Sequence, residues 1–326
     1  IAQVAPSAIL IFSICYPLVA DFCRKNNQSP SKAMFSIVLI SICTVTSLPI
    51  GSGATSYITA NSLWETYGIT FKEGMFDPML VYLPTIILSV LFAMFYCPKV
   101  APDYGSLYTD VQLKQMKEQK PLDPFREFMG YGIFVAVVIA ILFSEKLPAT
   151  IPTWMICFIG AVLTILTGVL SEKEAMQALT MPPIFLYIGS LAVGNALVAS
   201  GAGTFLAEAI QSILGDNPSK WVVIILFWVV GFIVTQFMSN MALYSALTPV
   251  VLLMCATYGW NPTGLSNMLF KATFTSYLTP LSTVAIPLCM AVGGYKQKDL
   301  LRMGLIPALT ISVANILWVG FMFPPC

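Results

Sequence analysis

The sequence has no histidine in 326 residues. That removes the side chain that most often moves protons near neutral pH and the commonest metal ligand. Charge is also scarce. Sixteen basic and fifteen acidic residues make up 10% of the chain, against about 25% in a soluble domain. Their balance of +1 offers no basic surface, and no nucleic-acid partner is expected. The eight cysteines (15, 23, 43, 97, 157, 255, 289 and 326) stand singly, with no CxxC pair. Neither a zinc site nor a disulfide framework is implied, and no transition metal or other cofactor is expected. Paired carboxylates and a serine with an evident base beside it are missing too, which disfavours a membrane-embedded enzyme. No basic n-region leads into the first apolar run, so no signal peptide is read there.

What is present is apolar sequence, 57% of the chain. A hydrocarbon core of roughly 30 Å takes about 20 apolar residues in a helix. Full-length candidates are 32–48, 77–97, 127–147, 151–171, 182–200 and 301–323; shorter or interrupted ones are 7–20, 220–238, 240–256 and 265–295. The expected fold class is an all-α membrane protein surrounded by a lipid bilayer.

Two stretches carry the same punctuation at an offset of 232: Pro17, Cys23 and Pro30 against Pro249, Cys255 and Pro262. Duplicated halves of this kind build secondary transporters. The repeat divides the chain into 1–97, the last part of a first repeat, a polar linker at 98–126, and 127–326, the second repeat. With the linker in the cytoplasm, twelve Lys and Arg side chains fall inside and three (Lys72, Lys146 and Lys220) outside. That bias orients the protein in a cell inner membrane with its C-terminus outside. Segments 220–238 and 240–256 then form a re-entrant hairpin of two half-helices with its tip near the bilayer midplane. The number of crossings between the repeats makes them inverted relative to one another. Through the same offset, Ser239-Asn240-Met241 falls on Ser7-Ala8-Ile9, so residues 2–8 should be a second hairpin tip. Its incoming arm would precede Ile1, and on the order of four further helices are expected upstream.

Each tip has a helix break to go with it. One lies at Leu278-Thr279-Pro280-Leu281-Ser282-Thr283, the other at Leu48-Pro49-Ile50-Gly51-Ser52-Gly53-Ala54-Thr55. Proline, glycine and hydroxyl residues free backbone groups there, and inside a membrane such groups must line a cavity or be buried in protein. Ser239 and Asn240 are good N-cap residues for the second arm of the hairpin. Free N–H groups at such a helix start attract an anion, while hydroxyl, amide and carbonyl oxygens suit Na⁺. A buried Asn that only joins two helices, a plain hydroxyl-rich kink and a glycine packing patch account for the same residues without transport. Lys271, Glu208, Asp77 and Arg302 lie near the ends of spans and are expected to snorkel to the interface. No buried acidic relay is read, which disfavours proton coupling.

These features together resemble the divalent-anion:sodium symporter family. The resemblance rests on Ser239-Asn240-Met241 at the tip, on the two breaks, and on Gly293-Gly294-Tyr295 with Asp299 to Gly304 leading into the last helix. It covers nearly the whole chain. It implies an inverted-repeat secondary transporter with two re-entrant hairpins and two broken helices, assembled as a homodimer. Na⁺-coupled symport of a small di- or tricarboxylate-like anion follows from it, with a Na⁺-independent exchanger on the same fold as the alternative. Carried over, Ser239, Asn240, Thr279, Ser282 and Thr283 hold one Na⁺, and Ser7, Gly51, Ser52, Gly53 and Thr55 the other. Ser239, Asn240, Met241, Thr279 and Pro280 face the substrate, with Ser7 and Ala8 opposite. The chain departs from the family at Pro6-Ser7-Ala8 and at Met241, where Ser-Asn-Thr triplets are usual, and in the residues that follow Thr283. These losses remove polar contacts to a carboxylate and leave the substrate open.

Overall fold

The computed structural model describes residues 8–49, 52–104, 123–142, 153–178, 218–281 and 283–325, with isolated positions between 188 and 215. Among the described residues the regular structure is helical. They fall into two compact units, one of Ile1–Leu113 with Leu186–Cys326 and the other of Lys114–Phe185.

The smaller unit contains α6 (Pro124–Leu142), α7 (Thr153–Leu166) and α8 (Glu172–Ala178), numbered in chain order with those below, and α6 packs against α7. Ser171 and Glu174 bond reciprocally across the start of α8, the Ser171 N–H to the carboxylate at 2.8 Å and the Glu174 N–H to the hydroxyl at 3.3 Å. This satisfies donors that the first helical turn leaves open.

The larger unit begins with α1 (Ala8–Lys25), α2 (Ser31–Cys43), α3 (Ser52–Thr66) and α4 (Asp77–Leu91). A π-helical turn, Phe92–Tyr96, carries α4 into α5 (Cys97–Val100). It continues with α9 (Lys220–Thr235), α10 (Asn240–Tyr258), α11 (Thr263–Phe274), α12 (Ala285–Gly293) and α13 (Gln297–Met322). Among the described residues three segments are long and apolar enough to cross a membrane: Asp77–Val100, Asn240–Tyr258 and Gln297–Met322.

The 232-residue offset recurs in local structure. Adding 232 to the first residue of α2, 31, gives 263, the start of α11, and the described part of α1 falls on α10. Pro30 and Pro262 are the N-caps of α2 and α11. A proline there gives up only an N–H that the helix could not use. The helix ends match as well. Asn27 at φ 54° and Gly259 at φ 66° are equivalent left-handed residues. Each is followed by an N–H bonded back at 2.8 Å to a cysteine carbonyl, Gln28 to Cys23 and Trp260 to Cys255. This is the Schellman closure, and it explains why the cysteines keep their spacing from the prolines.

The first break sits earlier than the sequence pattern suggests. α2 stops at Cys43 rather than running to 48, and Ser52, Gly53 and Thr55 lie within α3 rather than in the gap. The Thr44 hydroxyl bonds back to Ile40 O at 2.8 Å, and Thr46 takes φ 53°, so the chain leaves the helix before Pro49. Gly53 is needed because a Cβ would overlap the Leu48 carbonyl. The second break, residues 275–284, agrees with expectation and divides 265–295 into α11 and α12. Of the two hairpin arms, α9 has 16 residues and α10 is the longer. α10 runs 19 residues through Pro249, about 28 Å, close to a full hydrocarbon thickness. Thr248, just before the proline, bonds its hydroxyl to Tyr244 O at 2.6 Å.

Two apolar clusters hold this unit. One joins α1, α2, the second break, α12 and α13, through Phe12, Phe35, Tyr277, Ile286 and Met303. The other joins α3, α4, α9, α10 and α11, through Trp64, Tyr82, Trp228, Leu252 and Leu269. The segment after α5 is fastened to the starts of α2 and α13. The Ser31 hydroxyl bonds Pro102 O at 3.0 Å, Lys32 pairs with Asp103 at 3.0 Å, and the Tyr104 hydroxyl bonds Asp299 at 2.9 Å.

Candidate functional site

The link between α9 and α10 is four residues, Gln236 to Ser239, and it is clasped to the break after α11. Apolar helices ending at polar residues place the polar groups together, because the remaining surface goes to the clusters on either side. The Thr235 hydroxyl lies 2.5 Å from Thr273 O and 2.9 Å from Asn240 Oδ1. Asn240 donates from Nδ2 to Ser276 Oγ at 2.7 Å. Gln236 Nε2 donates to Phe232 O at 3.0 Å and to Thr275 O at 2.9 Å, while its Oε1 accepts the Leu278 N–H at 3.2 Å. The Thr279 hydroxyl donates to Gln236 O. Asn240 is 8% exposed, and Thr235, Gln236, Thr275 and Ser276 are buried. Peptide groups released by the break therefore find partners on the tip, as buried backbone requires.

Ser239 is exposed, and its hydroxyl does not cap α10. Met241, Thr279, Pro280 and Thr283 are half-buried. The tip thus turns Asn240 inward and presents Ser239, with Phe237 and Met238 also exposed. The structure brings Ser239, Asn240, Met241 and Thr279 to one place. At the other expected tip, Ala8 opens α1 and packs at the edge of the cluster that holds Tyr277, Ala285 and Ile286. Ser7, Gly51 and Ser282 lie outside the described residues, and so do the side chains of Ser52 and Thr55. Gly53 is buried against Leu48.

The first break is closed by a residue expected to snorkel. Lys271, on α11, is 1% exposed. Its Nζ lies 3.2 Å from Cys43 O, 3.0 Å from Val45 O and 2.9 Å from Ser47 Oγ. The same atom stands 4.2 Å from the centre of the Tyr82 ring. A negative helix end, three oxygens and an aromatic face all favour a cation. Among the described residues no carboxylate pairs with it. The sequence signal was there: an ionisable residue inside an apolar run is a functional candidate by default.

A buried acid is also present, contrary to the sequence reading. Glu73, in the loop before α4, is 4% exposed. It accepts a hydrogen bond from Asn267 Nδ2, whose Oδ1 accepts from the Tyr82 hydroxyl at 2.6 Å. The Glu73 N–H bonds Asn61 Oδ1 at 2.7 Å, and Asn61 Nδ2 returns a bond to Glu73 O at 3.0 Å. Burial pushes the Glu73 carboxyl up to about 8, the Asn267 bond works against this, and nearby Asp77 adds to it. Asp77 itself accepts the Gly74 N–H at 2.8 Å, and Arg302 is exposed. Glu208 lies outside the described residues. A pocket of about 90 Å³ near Ile69, Cys255 and Trp260 is at the far end of α10, about 25 Å from the tip by helix rise, and takes no part in the site.

A sequence profile of the citrate transporter family CitMHS matches residues 2–274. The chain belongs to this family. An uncharacterized transporter of Synechocystis sp. is 26% identical over 63% of this chain and 33% of its own length. An uncharacterized transporter of Haemophilus influenzae is 21% identical over 84% of this chain and 59% of its own. The sodium-dependent dicarboxylate transporter SdcS of Staphylococcus aureus is 23% identical over 79% of this chain and 52% of its own. The chain thus spans about a third to three fifths of the length of these relatives. The CitMHS family and the relatives are transporters, none an enzyme, and with its apolar helices the protein is a multi-pass membrane protein. The resemblance to sodium-coupled anion symporters is borne out at the level of a divergent relative.

Proposed function

We propose that the protein is a secondary active transporter that carries a small di- or tricarboxylate-like anion by Na⁺-coupled symport. The observation that carries this reading is the clasp between the hairpin tip, Thr235 to Asn240, and the helix break at Thr275 to Thr279. The clasp gathers hydroxyl, amide and carbonyl oxygens beside the uncapped start of α10, where N–H groups and the helix dipole favour an anion. Ser239, Asn240, Met241, Thr279 and Pro280 form this half of the substrate site, with Ser7 and Ala8 on the opposing tip. A Na⁺ bound by Ser239, Asn240, Thr279, Ser282 and Thr283 sets the clasp for substrate. The recurrence of helix starts and caps at an offset of 232 supports a duplicated fold, and we read it as inverted, with two re-entrant hairpins in a homodimer. Contacts from Asp103 and Tyr104 to the starts of α2 and α13 keep both starts beside the linker, on the side assigned to the cytoplasm of an inner membrane.

The test is uptake by the full-length protein in proteoliposomes, with and without an inward Na⁺ gradient, using labelled citrate and succinate. Uptake is expected only with the gradient; equal flux in its absence rejects symport, and counterflow without Na⁺ would assign an exchanger. Asn240→Ala loses its bonds to Thr235 and Ser276. It should abolish uptake and cost about 1–3 kcal/mol of stability. Uptake at the wild-type rate would reduce Asn240 to a packing contact.

A further inference from the structure

We propose that Lys271 is a tethered cation: its ammonium fills the place at the first helix break where a free monovalent cation would otherwise sit. The inference rests on the transport reading only for its functional meaning; the site itself stands on geometry. Three oxygens converge on Nζ, the carbonyls of Cys43 and Val45 and the hydroxyl of Ser47, at 2.9–3.2 Å. An ammonium has three donors and no acceptor, so it satisfies all three and leaves none over. The Ser47 hydroxyl is turned toward Val45 O at 3.4 Å, which leaves its lone pairs facing the lysine. Unwound carbonyls at the C-terminal end of a broken helix are the arrangement that binds small cations in transporters. With the side chain present there is no room for one.

The second break supports the assignment by contrast. By the 232 offset, Cys43 corresponds to Thr275 and Ser47 to Thr279. There Thr275 O accepts from the Gln236 amide, and the Thr279 hydroxyl donates to Gln236 O. The first break therefore meets a lysine amino group, whereas at the second Thr275 O meets the neutral Gln236 carboxamide and Thr279 the Gln236 backbone carbonyl. A built-in cation at the first break organises it without a dissolved ion and confines any coupling ion to the second. The transporter then needs one cation fewer per cycle than a protein with two open breaks.

The test uses the purified full-length protein with no anion present. Thermal unfolding of wild type and Lys271→Ala is followed in NaCl, ethylammonium chloride or choline chloride at equal ionic strength. Lys271→Ala should melt lower, and Na⁺ or ethylammonium, but not choline, should restore a few degrees with saturation beyond any wild-type response. A response indistinguishable from wild type overturns the proposal. If the variant does not fold, equilibrium binding of ²²Na⁺ to wild type decides: no more than one saturable ion per chain is expected, and two overturn it. Failure of every anion to move in the uptake assay would reject the transport reading and leave these results standing. Na⁺-driven uptake with two ions bound per chain would reject the tethered cation alone.

Discussion

The gap after α2 and the gap after α11 close their corresponding positions against different side chains. Cys43 O and Ser47 Oγ meet the Lys271 amino group, whereas Thr275 O meets the Gln236 carboxamide and the Thr279 hydroxyl donates to the Gln236 backbone carbonyl. An amide satisfies hydrogen bonds but leaves the negative end of α11 without a compensating charge. A lysine does both. The difference teaches that matched backbone geometry does not fix chemistry: one side chain decides whether a break still has use for an ion. The donor to the first break also comes from a distant helix, while the donor to the second comes from the adjoining tip.

The comparison can be broken most forcefully at Lys271. Lys271→Met keeps the length but removes the charged donor to Cys43 O, Val45 O and Ser47 Oγ, and chemical or thermal unfolding should show a loss on the order of 3 kcal/mol. Gln236→Met at the other break removes neutral bonds to Phe232 O, Thr275 O and the Leu278 N–H, each weaker than a bond from a charged donor. The loss should be nearer 2 kcal/mol, and equal losses would dissolve the distinction drawn between the two closures. Glu73, whose partner Asn267 lies one turn before Lys271 on α11, gives an effect that depends on pH and is smaller for each pH unit. Its carboxyl is raised in the fold from 4.5 to about 8, so the folded state holds the proton more tightly than the unfolded one. Its contribution is complete below pH 4.5 and is lost as pH rises toward 8, by at most about 1.4 kcal/mol per pH unit. Glu73→Gln should flatten that slope while keeping an oxygen for Asn267, and an unchanged slope places its origin elsewhere. The smallest effect is at Thr46, a β-branched residue at φ 53°. Thr46→Gly should relieve strain and raise stability by under about 1 kcal/mol; a loss would show that the Thr46 side chain supports the break.

Proline and glycine placement made the helices legible. Pro30 and Pro262 marked helix starts, and the tip and the second break were found where hydroxyls, proline and Ser239-Asn240 interrupt apolar runs. The first break was misplaced because Pro49, Gly51 and Gly53 drew attention away from Thr44 and Thr46, where the chain actually leaves the helix. Gly53 belongs to a helix start that passes close to Leu48. Lys271 and Glu73 were misjudged for one physical reason. A charged residue near a span end is interfacial unless something in the interior can receive it, and the receivers are backbone carbonyls and an asparagine far away in sequence. Composition shows that such groups exist, but not which of them converge.

Lys271 lies 228 residues from Cys43, whose carbonyl it bonds. It sits on α11, yet the opening it plugs follows α2. Had each half of a duplicated chain carried its own plug, the halves could drift apart one position at a time. Here a single codon in the later half fixes the electrostatics of the earlier one. Separately expressed halves would each be wrong in a different way, one with an unfilled ring of oxygens and the other with a lysine and nowhere to put it.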